Sequence, residues 1–390
     1  SFSGPQTIPG EPMAVAEEVW EAGLKDLVLN AWSARKTEVD ISSLGIPKND
    51  QTLARYWDVL HTLQNDHPEL FYVGIGSVWS NGSIFTKQEL TYCTIEGGLD
   101  KAISDFNAAV NRALAQIQGL TNPVEKALLL HDFLVVNCLY NWEVATDQED
   151  GDAYVASKMP WTAYGALVKG DAVCQGYALA YKYLLTRAGI PSVVISSSSM
   201  NHAWNGVQIN GKWYHVDCTW DDPTPDVAGY CRHTYFLLSD TSFPSNDHYS
   251  WEQIVICNDA SYTSGYAFNN CRLPFYRWNG NFYYVKPLTT GEWQNFVYKT
   301  PQLDQEGRQL PGDLGLTAYS GAAWVEGRLY LVPSAYSNGP NQRVLMVYDL
   351  DTEIAAQAGL FPYVPSDAPD GKGDKNNDWN PGVRYNEGTG

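Results

Sequence analysis

No run of apolar residues in this 390-residue chain approaches the ~20 needed to cross a bilayer. Membrane insertion is therefore not expected. Positive charge is also scarce: 25 Lys and Arg stand against 44 Asp and Glu, a formal net charge of −19. Phosphate binding needs clustered cations, so a nucleic-acid partner is excluded. Docking on anionic lipid is disfavoured for the same reason. No Cys-x-x-Cys pair occurs, which removes a zinc ribbon. The first residues, Ser-Phe-Ser-Gly-Pro-Gln, lack a basic-then-apolar signal pattern. The chain is thus read either as cytosolic or as having lost a leader.

What is present describes an ordinary globular protein, with 44% apolar and 18% charged residues. The length suggests two or three domains. The chain holds 14 Trp, 25 Tyr and 12 Phe. With the acidic surface, this fits an enzyme acting on polymers, secreted or at the cell surface. Seven cysteines are present, at 93, 138, 174, 218, 231, 257 and 271. An odd count suits one free thiol beside paired ones. Cys257 and Cys271 flank a short polar segment and are expected to be bridged. Cys218 is expected to be a small buried hydrophobe.

Three residues carry the chemistry: Cys174, His202 and Asp217. Residues 202–209 and 212–219 both read as strands, joined by Asn210-Gly211, the dipeptide favoured in a two-residue type I′ hairpin. That turn sets Ile209 opposite Lys212 and Trp204 opposite Asp217. One face then carries Ala203, Asn205, Val207, Ile209, Tyr214, Val216 and Cys218, and suits a core. The other carries His202, Trp204, His215 and Asp217. His202 and Asp217 become diagonal neighbours within side-chain reach; a one-residue slip would part them. The carboxylate can then hold the imidazole in the tautomer that accepts a thiol proton.

Cys174 opens a run in which Tyr177, Leu179, Ala180, Tyr183, Leu184 and Ala188 recur at helical spacing, closed by Gly189 and Pro191. The thiol is expected at a helix N-terminus. There the macrodipole favours a thiolate, and first-turn N–H groups are free to meet an oxyanion.

These residues carry a resemblance. Ala163-Tyr-Gly-Ala-Leu-Val, Val173-Cys-Gln-Gly-Tyr-Ala, Ala188-Gly-Ile-Pro, His202-Ala-Trp-Asn and Trp213-Tyr-His-Val-Asp217 with Thr-Trp-Asp-Asp-Pro resemble the transglutaminase-like superfamily of papain-like cysteine hydrolases. His131-Asp-Phe-Leu-Val-Val-Asn-Cys-Leu-Tyr140 and His67-Pro-Glu-Leu-Phe-Tyr-Val resemble segments of its secreted bacterial members. The resemblance implies an α+β fold with a papain-like transglutaminase core. In it Cys174 is nucleophile, His202 base and Asp217 the group that orients His202. It implies a cysteine peptidase or amidase working through a thioester, with a protein or peptide substrate, cell-wall peptide being one candidate. Its alternatives are a transglutaminase that crosslinks proteins, and a non-catalytic cell-surface module that keeps the fold. No cofactor and no metal are expected. A site built from His202, His215 and Asp217 would leave Cys174 without a role.

The chain is divided into a helical N-terminal region with short strands (1–97), the transglutaminase-like core (98–255), a β-rich region (256–364) and a polar tail (365–390). Helical periodicity covers 12–33, 51–64 and 99–120, and Asn122-Pro123 starts a further helix. Trp278–Val285 and Val325–Val332 resemble one another 47 residues apart. They are read as a shared hairpin signature in an antiparallel appendage packed on the core, limiting access to the cleft. Asp374–Asn380 alternates oxygen-bearing side chains but lacks a calcium loop's Gly and Glu, so it is read as a solvated tail. For the second oxyanion donor Tyr164 is preferred, ahead of Trp142 and Gln175. Trp204, Trp220 and Tyr177 are expected to line the cleft, with His215 as a cleft wall.

Overall fold

The computed structural model describes residues 19–146, 158–224, 226–243, 247–287, 295–314, 319–333 and 342–362. Asn210 and Gly211 both take positive φ, 51° and 81°, as a type I′ turn requires. The turn joins β7 (His202–Ile209) to β8 (Lys212–Val216), with Ile209 opposite Lys212 and Asn205 opposite Val216. β6 (Ser192–Ser197) pairs with β7, and β9 (Phe236–Leu238) with β8, completing an antiparallel sheet in the order β6-β7-β8-β9. The apolar face of the hairpin is buried as expected: Val207, Ile209, Tyr214 and Val216 belong to the main core. The second strand is shorter than expected. It ends at Val216, because Asp217 caps a short helix, α7 (Cys218–Asp221), by accepting the Trp220 N–H at 3.1 Å. Cys218 is nonetheless buried.

α6 (Cys174–Arg187) packs across this sheet, and Asn205 donates to the Ala178 carbonyl at 2.9 Å. Its first turn is pressed against residues 159–162. A Cβ on Gly176 would lie 2.4 Å from the Pro160 carbonyl oxygen. α3 (Leu99–Ala115) and α4 (Pro123–Asn137) flank α6. α4 begins as expected, with Pro123 in its first turn and the Asn122 side chain accepting the Val124 N–H at 2.9 Å. After α4, β4 (Leu139–Tyr140) runs parallel to β5 (Asp171–Ala172), and α5 (Trp142–Thr146) follows β4.

The N-terminal region combines α1 (Val19–Ser33) and α2 (Asp50–Asp66) with β1 (Glu38–Asp40), β2 (Val73–Ser80) and β3 (Phe85–Tyr92), in sheet order β1-β3-β2. Two four-stranded antiparallel sheets form the C-terminal part. One comprises β10 (Tyr276–Trp278), β11 (Asn281–Pro287), β12 (Asn295–Thr300) and β13 (Arg308–Gln309). The other comprises β14 (Tyr319–Val325), β15 (Arg328–Pro333), β16 (Gln342–Asp349) and β17 (Ile354–Pro362). The two similar sequence segments form the first hairpin of each sheet, β10–β11 and β14–β15. They thus hold equivalent places in two meanders, which a shared hairpin signature alone does not explain. The first sheet packs on α4: Phe275, Phe282, Tyr284 and Tyr298 share a core cluster with Ala127 and Leu130. The Leu303 N–H reaches Glu125, and Arg277 reaches the carbonyls of Gln116 and Gln118.

All seven cysteines are free. The expected Cys257–Cys271 bridge is therefore corrected: Cys257 packs with Ile195 and Trp204, whereas Cys271 lies in the main core. No helix among the described residues is long and apolar enough to cross a membrane. The Asp374–Asn380 segment lies outside the described residues.

Candidate active site

Cys174 is the first residue of α6 and is half-buried. No side chain caps this helix. Its first-turn N–H groups have no intrahelical acceptor, so the N-terminal dipole faces the thiol sulfur. The hairpin brings the other two predicted residues to it. His202 Nε2 donates to Asp217 Oδ2 at 2.6 Å, and Cys174 is near enough to add to the basicity of the ring. Since Nε2 is engaged by the carboxylate, Nδ1 is the nitrogen left for the thiol.

Burial opposes a charged His202 ring, but the Asp217 charge, the Asp217 hydrogen bond and the neighbouring Cys174 outweigh it. Together they lift the imidazole to about 10. Burial likewise opposes ionisation of Asp217. The charge of His202 and hydrogen bonds from two histidines hold its carboxyl well below the usual range. The site thus favours the protonated form of the His202 ring, held by a buried carboxylate.

The second of those histidines is His248, which the sequence reading did not single out. Its Nε2 donates to the same Asp217 oxygen at 2.8 Å, while its Nδ1 is buried without a partner. Burial lowers its basicity, and charges on His202 and His215 add to that, so it acts as a neutral donor. No motif marks His248. It lies 31 positions beyond Asp217 and is brought back by the chain after β9.

The aromatic candidates divide. Trp220 is half-buried and packs on both His202 and His248, with ring centroids 5.6 and 4.3 Å apart. Trp204 is fully buried, stacks on His202 at 5.6 Å, and donates its indole N–H to His215 Nδ1 at 3.0 Å. It supports the imidazole from behind and does not line a cleft. His215 is also buried, its Nε2 donating to Asp240 at 2.8 Å, so the cleft-wall expectation fails for it. Tyr177 fails too. Its hydroxyl is buried on Asp222 at 2.6 Å, which makes the pair a core element.

Tyr164 was the preferred oxyanion donor and is not placed for it. It is buried, stacked on Phe71 at 4.6 Å, with Asp105 and Lys101 of α3 as its charged neighbours. The phenol that does share the field of Cys174 and Asp217 belongs to Tyr140. Burial first, then the neighbouring Cys174 and Asp217, push it up to about 12, so it stays a neutral donor. The β4–β5 pairing sets Tyr140 opposite Ala172, two residues before the nucleophile. The exposed indole of Trp142 lies against Tyr140, with ring centroids 4.6 Å apart. Gln175 faces a cavity of about 750 Å³ that Ala203, Trp161, Leu179 and Lys182 also line. Neither Cys174 nor His202 lines this cavity, and none of its lining comes from the C-terminal sheets.

Among the described residues, three groups of donor atoms could hold a cation: His202, Asp217 and His248; His215, Asp240 and Cys257; and His131, Asp132, Cys231 and His233. The first two are satisfied by ordinary hydrogen bonds. In the first, His202 and His248 each place one N–H on Asp217; in the second, His215 places one N–H on Asp240 and accepts the Trp204 indole with its other nitrogen.

Residues 111–218, a stretch of mixed helices and strands, match the model of the transglutaminase-like superfamily. Kyphoscoliosis peptidase of Mus musculus is 21% identical over 174 residues, covering 40% of this chain and 24% of that protein. The chain therefore spans about a quarter of that relative. A crystal structure of a TGase is 15% identical over 40% of this chain and 47% of its own, with a TM-score of 0.27. A candidate cysteine protease from Cytophaga hutchinsonii is 14% identical over 39% and 63%, with a TM-score of 0.22.

Proposed function

We propose that this protein is a thiol-dependent acyl-transfer enzyme acting on protein or peptide amides, most simply as a cysteine peptidase or amidase. One observation carries the reading. His202 is held by Asp217 at 2.6 Å and has Cys174 beside it as a further group that raises its basicity, with the thiol at an uncapped helix start. A core scaffold has no need of that order. The peptidase named among the similar proteins favours an amide substrate.

In this reading the Cys174 proton passes to His202, and the thiolate attacks the carbonyl carbon. The oxyanion meets the Cys174 backbone N–H and the Tyr140 hydroxyl. Collapse breaks the C–N bond, His202 gives its proton to the leaving amine, and a thioester remains. Water, deprotonated by His202, then releases the acid and the thiol. If an amine enters in place of water, the same steps form a new amide and the protein is a transglutaminase.

The test begins with iodoacetamide and mass spectrometry on the folded protein. Cys174 is expected to label first among the seven cysteines, and His202→Ala to slow it. Equal labelling in the mutant would overturn the reading in favour of a binding module. Thioester trapping with peptide libraries, with and without an added amine, separates hydrolysis from transfer.

A further inference from the structure

We propose that the chain holds a structural zinc ion, separate from the Cys174 site, bound by His131 Nδ1, Asp132 Oδ1, Cys231 Sγ and His233 Nε2. All four residues are buried, and their four donor atoms lie within 4.8 Å of one another. Around Asp132 Oδ1, His131 Nδ1 stands at 2.8 Å, His233 Nε2 at 2.9 Å and Cys231 Sγ at 3.5 Å. Sγ lies 3.9 Å from His131 Nδ1 and 4.0 Å from His233 Nε2. Zinc bonds of about 2.0–2.3 Å at tetrahedral angles separate ligand atoms by about 3.3–3.7 Å. The observed distances bracket that range.

Proton counting points the same way. His131 Nε2 faces Asp221 Oδ2 at 3.1 Å while its Nδ1 faces Asp132. His233 Nδ1 faces the Cys271 carbonyl at 3.0 Å while its Nε2 faces the same Asp132 oxygen. Every ring nitrogen thus meets an acceptor. A neutral imidazole has one N–H, so each ring is one donor short, and both shortfalls meet at Asp132 Oδ1. A divalent cation there removes both. The outer nitrogens then donate to a carboxylate and a carbonyl, and Asp132 Oδ2 accepts the Phe275 N–H at 2.7 Å. That is the outer ring of bonds that fixes metal ligands in place. His215 shows no such shortage, since it donates to Asp240 and accepts from Trp204. Thiolate, imidazole and carboxylate in a closed buried set select zinc in a structural role. The ion would tie α4 to the 231–233 segment, to Asp221 of α7, and to the entry of the C-terminal sheets.

The test uses the full chain. Metal analysis is expected to find about one zinc per chain, unchanged in Cys174→Ser and lost in Cys231→Ser. X-ray absorption on Cys174→Ser should show one sulfur and three nitrogen or oxygen ligands, a result that needs no change at the site itself. Chelation under mildly destabilising conditions should lower Tm, and zinc should restore it. Zinc-free protein that folds with the same Tm and takes up no zinc would overturn the proposal, leaving the network held by two extra protons. So would zinc that leaves with Cys174→Ser and not with Cys231→Ser.

Discussion

At the scale of single residues, Asp217 does several things at once. One oxygen receives His202 and His248, and the other receives the Trp220 N–H. A buried carboxylate so fully bonded stays charged, and its charge keeps the His202 proton in place. His202 should therefore titrate near pH 10 in an NMR titration, not near the ordinary 6.5. The sign follows from the raised value. The stability His202 contributes is complete below 6.5 and is lost as pH rises through about 10. Asp217→Asn removes the leading charge that raises it, so the titration should move down. A midpoint left near 10 would show that Asp217 is not the cause. His248 touches only the carboxylate, so it is a positioning residue. His248→Ala should lower kcat with little change in KM and shift the His202 midpoint, whereas loss of packing alone would leave that midpoint in place. Tyr140→Phe should cost about 10²–10³ in kcat, the usual worth of one oxyanion donor. Tyr164→Phe, on the α3 side, should leave kcat nearly unchanged.

Among the elements, the hairpin and α6 were legible in sequence and the rest of the site was not. A period-two pattern, an Asn-Gly turn and a helix stop are local signals. They were enough to place His202 near Asp217 and Cys174 at a helix start; the resemblance alone joined the thiol to the other two. Tyr140 and His248 arrive through β4–β5 pairing and the chain after β9, contacts that no spacing reveals. The same holds for His131 and Asp132, which meet Cys231 and His233 about a hundred positions away. The strand end at Val216 was missed because Asp217 plays two parts, and its capping bond stops the strand that carries it. Tyr164 was misplaced because a motif position says nothing of which way a phenol points. Gly176 shows how tightly the nucleophile's turn is held. A methyl there would meet the Pro160 carbonyl at 2.4 Å and the Ala172 Cβ at 2.8 Å, and backbone cannot swing aside as a side chain can. Gly176→Ala should therefore cost about 1–3 kcal/mol, read as a lower Tm. Cys174 labelling should slow with it, since the displaced turn carries the thiol. Unchanged labelling would show that the turn relaxes without moving Cys174.

For the whole molecule, the question is whether residues up to 255 stand alone. The main core answers that they do not, because it continues across that point. Phe268 packs edge-on against Phe236 at 5.1 Å, and Phe268, Phe275 and Tyr284 are buried in the same cluster as α4. Removing three such side chains forfeits about 1.5–3 kcal/mol each. It also leaves buried polar groups unmatched: Asp132 loses the Phe275 N–H, His233 the Cys271 carbonyl and Glu125 the Leu303 N–H. Each orphaned group costs about 1–3 kcal/mol more. Their sum reaches the 5–15 kcal/mol or so that holds a typical domain together. A chain ending at 255 should therefore show no cooperative melting transition. One ending at 314 keeps the first sheet and loses only the second. It should melt cooperatively at a lower Tm, with Cys174 labelling retained, since His202, Asp217 and His248, which meet at the site, all lie before the C-terminal sheets. A cooperative transition at the full-length Tm from the shorter chain would mean that the two parts fold independently, and that the shared aromatic cluster contributes contact without stability.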